Sequence, residues 1–145
     1  MPDPIYKRPE SVLVLVHTVA GEVLLLRRRA PDDFWQSVTG SLEWGETPAQ
    51  AARRELFEET GLATGDALID CNTLNRFPIL PAWRARYAPD VTENLEHVFR
   101  IGFAERPAIR LDPAEHLEYR WLDRDAAAAQ ATSHTNRDAI LAWVR

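Results

Sequence analysis

The sequence holds a single cysteine, Cys71, in 145 residues. An internal disulfide is therefore impossible and a reducing compartment is the expected setting; Cys71 itself reads as a small buried apolar side chain. Basic charge is also short: 17 Lys and Arg against 22 Asp and Glu leave a formal net charge of -5. Gripping nucleic acid through its phosphates needs a basic face, so nucleic acid is not an expected partner. An acidic protein can still act on polyphosphates if metal ions mask the repulsion. No apolar run approaches the roughly 18 residues of a membrane span. The N-terminal "MPDPIYKRPE" lacks the basic start and apolar core of a signal peptide. The expectation is a cytoplasmic protein with no membrane partner.

What is present is an ordinary globular composition, 46% hydrophobic and 27% charged, over a length that suits one domain spanning 1–145. "SVLVLVHTVAGEVLLLRRR" predicts two strands, Val12 to Val19 and Val23 to Arg27, joined by a tight hairpin at Ala20-Gly21. Their consecutive apolar residues predict burial on both faces. "FWQSVTG" predicts a short strand stopped by Gly40. "DALIDCNTL", "NLEHVFRIGFAE" and "LEYRWLD" predict three more strands, with "NRFPILPAWRARYAPDVTE" as a loop between the first two. "RDAAAAQA" and "NRDAILAWVR" close the chain as helices, the second with Ala139, Ile140, Trp143 and Val144 at helical spacing. These elements predict an α/β (α+β) architecture, a mixed central sheet with helices on both faces.

The best-marked element is a helix over Pro48 to Thr60. Thr47 is a good N-cap, Pro48 fits the first turn, Gln50 completes a capping box and Gly61 supplies the stop. This helix crowds Glu55, Glu58 and Glu59 into five positions. At 3.6 residues per turn Glu55 and Glu59 project in nearly one direction, with Glu58 about 60° to the side. Glu59 lies within about 20° of Ala52, at the edge of the apolar seam formed with Ala49 and Leu56. A partly buried carboxylate beside two others holds its proton unless cations offset the repulsion, and Mg²⁺ with oxygen ligands does this well. For the helix taken alone, solvation with an Arg54–Glu58 i,i+4 pair is the competing reading.

The wider spacing tips the balance. Gly40, five residues, Glu46, seven residues, Arg54-Glu55-Leu56, one residue, Glu58-Glu59, one residue, Gly61-Leu62 resembles the Nudix hydrolase box, with every fixed position matched. The resemblance implies an α/β/α sandwich that binds Mg²⁺, with Mn²⁺ as a substitute, and hydrolyses a diphosphate linked to another group. It implies Glu55 and Glu59 as principal metal ligands and Glu58 as a further ligand or water-orienting group. Arg54 would orient the glutamates, Glu46 would brace the loop and Arg54, and Gly40 and Gly61 would permit tight turns.

"YKRP" (Tyr6 to Pro9), "FWQSVTGS" (Phe34 to Ser41), "LIDC" (Leu68 to Cys71), "RYAPDVT" (Arg86 to Thr92) and "EHLEYRWLD" (Glu115 to Asp123) extend the likeness to nearly the whole chain. They are similar to the dihydroneopterin triphosphate diphosphatase branch of the Nudix hydrolases. That resemblance implies release of diphosphate from a pterin triphosphate, in folate synthesis. It also implies substrate contacts by Lys7, Arg28 and Thr39, and a pocket lined by Phe77, Pro78, Ile79, Leu80 and Ser133. Glu115 would be a distal metal ligand or base. Whether Glu58 or Glu115 takes the water's proton stays open, as does the oligomeric state. His116 reads as a loop residue, Glu96 and His97 as structural strand residues, and Trp35 as a core plug rather than a stacking surface. A nucleoside triphosphate, damaged ones included, is the alternative substrate; a module that binds nucleotides without hydrolysis is the alternative of another class.

Overall fold

The computed structural model describes residues 6–64 and 66–145. The first five residues of the stretch examined for a signal peptide, and Gly65, lie outside them. Strands β1 (Glu10–Thr18), β2 (Glu22–Arg28), β3 (Trp35–Gln36) and β4 (Val38–Ser41) precede helix α1 (Pro48–Thr60). Then come β5 (Ile69–Pro78), a 3-10 helix (Pro81–Arg86), β6 (Glu93–Phe103), β7 (His116–Asp123), α2 (Arg124–Gln130) and α3 (His134–Trp143).

The sheet runs β3-β2-β1-β6-β5, with β4 on β1 and β7 on β2. It is mixed: β1 pairs in parallel with β6 along its whole length, Glu10 opposite Leu95 to Thr18 opposite Phe103, while the other pairings are antiparallel. Side chains alternate across a strand, so β1 feeds two cores. Val12, Val14 and Val16 pack with Ala51, Ala52 and Leu56 of α1 and with Phe99 and Ile101 of β6. Leu13 and Leu15 pack with Ala127 and Ala128 of α2, Ala139 and Ile140 of α3, and Val98 of β6. Helices therefore cover both faces, as the consecutive apolar runs require, and Trp35 plugs the second core at 2% exposure.

Helix α1 keeps its expected bounds. Thr47 accepts from the Gln50 N–H, the Gln50 side chain accepts from the Thr47 N–H, and Gly61 ends the helix at φ 77° with its N–H on Phe57 O. Elsewhere the structure corrects the sequence reading. The predicted strand "FWQSVTG" breaks at Ser37, whose N–H turns to Asn136 Oδ1 instead of a neighbouring strand, and β4 runs on past Gly40 to Ser41. Half of the predicted loop after Leu74 is ordered backbone. Asn75 to Pro78 continue β5 because Glu93 to Glu96 stand opposite as partners, and Pro78, which has no N–H to donate, ends the strand. Pro81 then opens the 3-10 helix. His116, expected in a loop, is the first residue of β7 and is buried. Among the described residues no helix is long and apolar enough to cross a membrane.

Two stability outcomes follow from these contacts. Thr47→Ala removes a capping acceptor and is expected to lower unfolding free energy by about 1 kcal/mol; Ile140→Ala, at the centre of the second core, is expected to lower it by about 2–5 kcal/mol. Urea denaturation measures both, and an unchanged Thr47→Ala midpoint would dismiss the capping box as a stabilising element.

Candidate active site

The site is organised by one guanidinium. Arg54, on the second turn of α1, reaches back over the loop that precedes the helix. Its Nε and Nη2 donate to Glu46 Oε2 and Oε1, both at 2.8 Å, and Nη2 also donates to Ser41 O at 3.0 Å. Its Nη1 donates to Glu55 Oε1 at 2.7 Å and grazes Glu58 Oε2 at 3.5 Å. Glu46 Oε1 accepts from the Glu43 N–H as well, closing the loop on itself. The Arg54 hydrogen bonds hold the Glu46 carboxyl below its ordinary range. Planar forks of this kind fix orientation as well as charge.

The glutamates differ in setting. Glu58 is exposed, Glu55 half-buried and Glu59 5% exposed. Burial, and then the neighbouring Glu55, push the Glu59 carboxyl well above the ordinary range; the Thr39 N–H donates to it in partial compensation. Glu59 Oε1 is buried with no hydrogen-bond partner. His116 Nε2 lies 3.7 Å from that oxygen, but burial and the Arg28 charge push the His116 pKa down to about 4, so the contact is not an ion pair at neutral pH.

These features fit a divalent cation. A buried acceptor stands unpartnered beside a second carboxylate, and the backbone opposite is bare: a Cβ at Gly40 would overlap the Glu55 carboxylate. Among the described residues no three acidic, histidine or cysteine side chains already enclose a point. The acids instead line an open cleft of about 540 Å³, shared with Lys7, Arg28 and Glu115. An open carboxylate face is what Mg²⁺ with water and phosphate ligands uses, rather than a closed protein cage.

A second cavity of about 560 Å³ adjoins the first across β4, with Lys7, Gln36, Thr39, Gly40 and Ser41 lining both. It brings together Phe77, Pro78, Ile79, Leu80 and Ser133, the residues named from sequence as pocket lining. Arg28 stands near the junction, its guanidinium 5.7 Å from the Phe34 ring centre and 5.6 Å from that of Trp83. Thr39 commits its hydroxyl to Val12 O at 2.8 Å, so what it turns to the acid site is its backbone N–H. Ser133 caps α3, accepting from the Asn136 N–H. The Lys7 ammonium is held below its ordinary range by loss of solvent and then by Arg86 and Arg28.

Sequence reasoning missed several lining residues. Arg86 and Asp112 reach the acid cleft, and Trp83, Asn94, Glu96 and Asn136 reach the second cavity. For Asn94 and Glu96 a signal existed: two polar residues at period two on a strand face that continues into Val98 and the apolar core.

Comparison with known proteins agrees with this geometry. A model of the NUDIX domain matches residues 7–144. The chain is 47% identical over 148 residues to the Escherichia coli protein named dihydroneopterin triphosphate diphosphatase, covering 99% of this chain and 97% of that protein. The Haemophilus influenzae protein of the same name is 41% identical over 139 residues, covering 93% of this chain and 87% of that one. The solved structure of the Escherichia coli dihydroneopterin triphosphate pyrophosphohydrolase superposes with a TM-score of 0.89 at 46% identity, over 97% of each chain. With a domain match from Lys7 to Val144 laid over this loop, helix and cleft, the chain belongs to the NUDIX family.

Proposed function

We propose that this protein hydrolyses dihydroneopterin triphosphate to dihydroneopterin monophosphate and diphosphate, with Mg²⁺ as its cation and Mn²⁺ able to replace it. The chain is an enzyme of the Nudix hydrolase family, whose members use divalent metal ions. The observation that carries the substrate reading is the continuity of an acidic cleft with a largely apolar pocket across β4, in a chain 47% identical over nearly its full length to an enzyme of that name. One compartment suits a triphosphate with its cations and the other a flat heterocycle.

Glu55, Glu58, Glu59 and Glu115 are the groups that would hold Mg²⁺. Held there, the ion would neutralise phosphate charge and acidify a bound water. The chain's own residues do the remaining work. Lys7 and Arg28, both on the cleft wall, bind phosphate oxygens, the first as a compact charge and the second as a fork. Arg54, pinned by Glu46 and Ser41 O, keeps Glu55 turned toward Gly40. His116, neutral at working pH, closes the inner wall beside Glu59 without competing for its charge. Glu58 and Glu115 are exposed acids of the cleft, and one of them takes the proton of the attacking water. Single Gln variants of the two, compared by their pH–rate profiles, identify which.

The deciding experiment is diphosphate release from dihydroneopterin triphosphate and from a panel of nucleoside triphosphates, with and without chelator. Turnover of the pterin substrate that stops on chelation is expected. A nucleotide preferred about tenfold in kcat/KM, about 1.4 kcal/mol, would replace the pterin assignment. Glu59→Gln should lower kcat by about two orders of magnitude with the fold retained, since metal-ligand geometry is lost without loss of shape. Gly40→Ala should lower it by about 100-fold as well, because the new methyl displaces the Glu55 carboxylate. Near-normal turnover in either folded variant would move the metal site elsewhere.

A further inference from the structure

The pocket beside the acid cleft has apolar walls and a polar floor, and nothing in the hydrolytic chemistry uses that floor. Asn94 and Glu96 form it. They stand two residues apart on one face of β6, both lining the pocket, 4% and 5% exposed. Their hydrogen bonds are unequally filled. Asn94 Nδ2 donates to Ser11 Oγ at 2.8 Å and to Leu95 O at 3.3 Å, whereas Asn94 Oδ1 is buried with no partner. Glu96 Oε1 accepts from Asn75 Nδ2 at 3.2 Å, and the Thr135 hydroxyl donates to the same carboxyl. A carboxylate offers about four acceptor positions, so part of its capacity remains open. The neighbouring Asn136 amide is engaged at both atoms: Oδ1 accepts from the Ser37 N–H, and Nδ2 donates one hydrogen to Ser37 Oγ.

The open capacity of Asn94 and Glu96 is thus in acceptors, since both hydrogens of Asn94 Nδ2 are used and a carboxylate only accepts. Burial pushes the Glu96 carboxyl above its ordinary range despite the Asn75 and Thr135 bonds, a cost that further donors would relieve. Buried polar atoms are nearly always paired, and Asn94 Oδ1 is an exception on a side chain that lines the cavity, where a donor from outside the chain is the available partner. Holding β5 and α3 in place accounts for the Asn75 and Thr135 contacts of Glu96; it leaves the bare Asn94 oxygen without a role.

We infer that Asn94 and Glu96 are specificity-determining residues that accept the adjacent N–H groups of a 2-amino-4-oxopyrimidine ring edge seated in this pocket. The Glu96 carboxylate takes the ring N–H and one amine hydrogen as a pair, and Asn94 Oδ1 takes the other. Pterins and guanine carry this edge. Hypoxanthine lacks the amine, and adenine sets a ring acceptor against the carboxylate. Phe34 and Trp83, 6.3 Å apart at their ring centres, and Leu80 supply apolar surface for the ring faces.

The inference deepens the substrate reading above and rests on it, and the test separates the two. Neopterin, followed by its own fluorescence, probes the ring pocket without hydrolysis; dGTP and dITP, which differ by the single amine, probe discrimination in turnover. Glu96→Gln keeps the side-chain shape while replacing an acceptor with a donor, and Asn94→Ala removes the other acceptor. Each is expected to raise the neopterin Kd about tenfold or more and to bring the dGTP to dITP ratio of kcat/KM from about tenfold toward one, through KM rather than kcat. Should Glu96→Gln fail to fold, Asn94→Ala carries the test. Folded variants that keep both the neopterin Kd and the ratio, whatever their melting temperatures, overturn the inference. A wild-type enzyme that leaves dihydroneopterin triphosphate intact yet discriminates dGTP from dITP through Glu96 overturns the substrate reading and supports the floor.

Discussion

The structure turns on a positive charge among negative ones. Without Arg54, Glu46 of the loop would face Glu55 and Glu58 of α1 with no charge between them, and the loop would lose its tie to the helix. With it, Glu46, Glu55 and the Ser41 carbonyl share one planar donor set, and the loop, the strand end and the helix become a single unit. The remaining repulsion, between Glu55 and the buried Glu59, is left unresolved by the protein. A cation held between these two carboxylates, as proposed above, would remove that unfavourable energy on binding.

The sheet extends this local arrangement into a longer groove. β1 lies between β6 on one side and β2 with β4 on the other, and its alternating side chains supply both cores. Because β6 runs parallel to β1 in register, the buried polar pair Asn94 and Glu96 sits level with the start of β1, near Ser11. The same end of β1 carries β4 and its Gly40. The acid cleft and the second cavity thus meet at one end of the central strands through strand pairing, with α1 behind the first and α3 behind the second.

Much of this was legible in the sequence wherever the signal was local. The bounds of α1 follow from Thr47, Gln50 and Gly61, all within a turn of the element they terminate. The inward placing of Glu59 followed from helical geometry and the placing of Ala52 and Leu56, although at 5% exposure it is buried more deeply than the edge of the apolar seam implied. What escaped the reading depended on distant partners. Asn75 to Pro78 look like loop until Glu93 to Glu96 stand opposite them, and Ser37 interrupts a strand because Asn136, far along the chain, takes its N–H. Glu96 read as a structural strand residue because no local pattern says which face of a sheet opens into a cavity. His116 read as a loop residue since its burial comes from packing beside Gln36 and Glu59.

β4 is a wall four residues long whose two sides belong to different compartments. Such a partition acts as a calliper. A ligand that fills both chambers must bridge them with a tether of matching reach, so under the proposed reading the side chain joining ring to phosphorus would itself be measured, and molecules with the right head and the right tail but a shorter or longer join would seat only one end at a time.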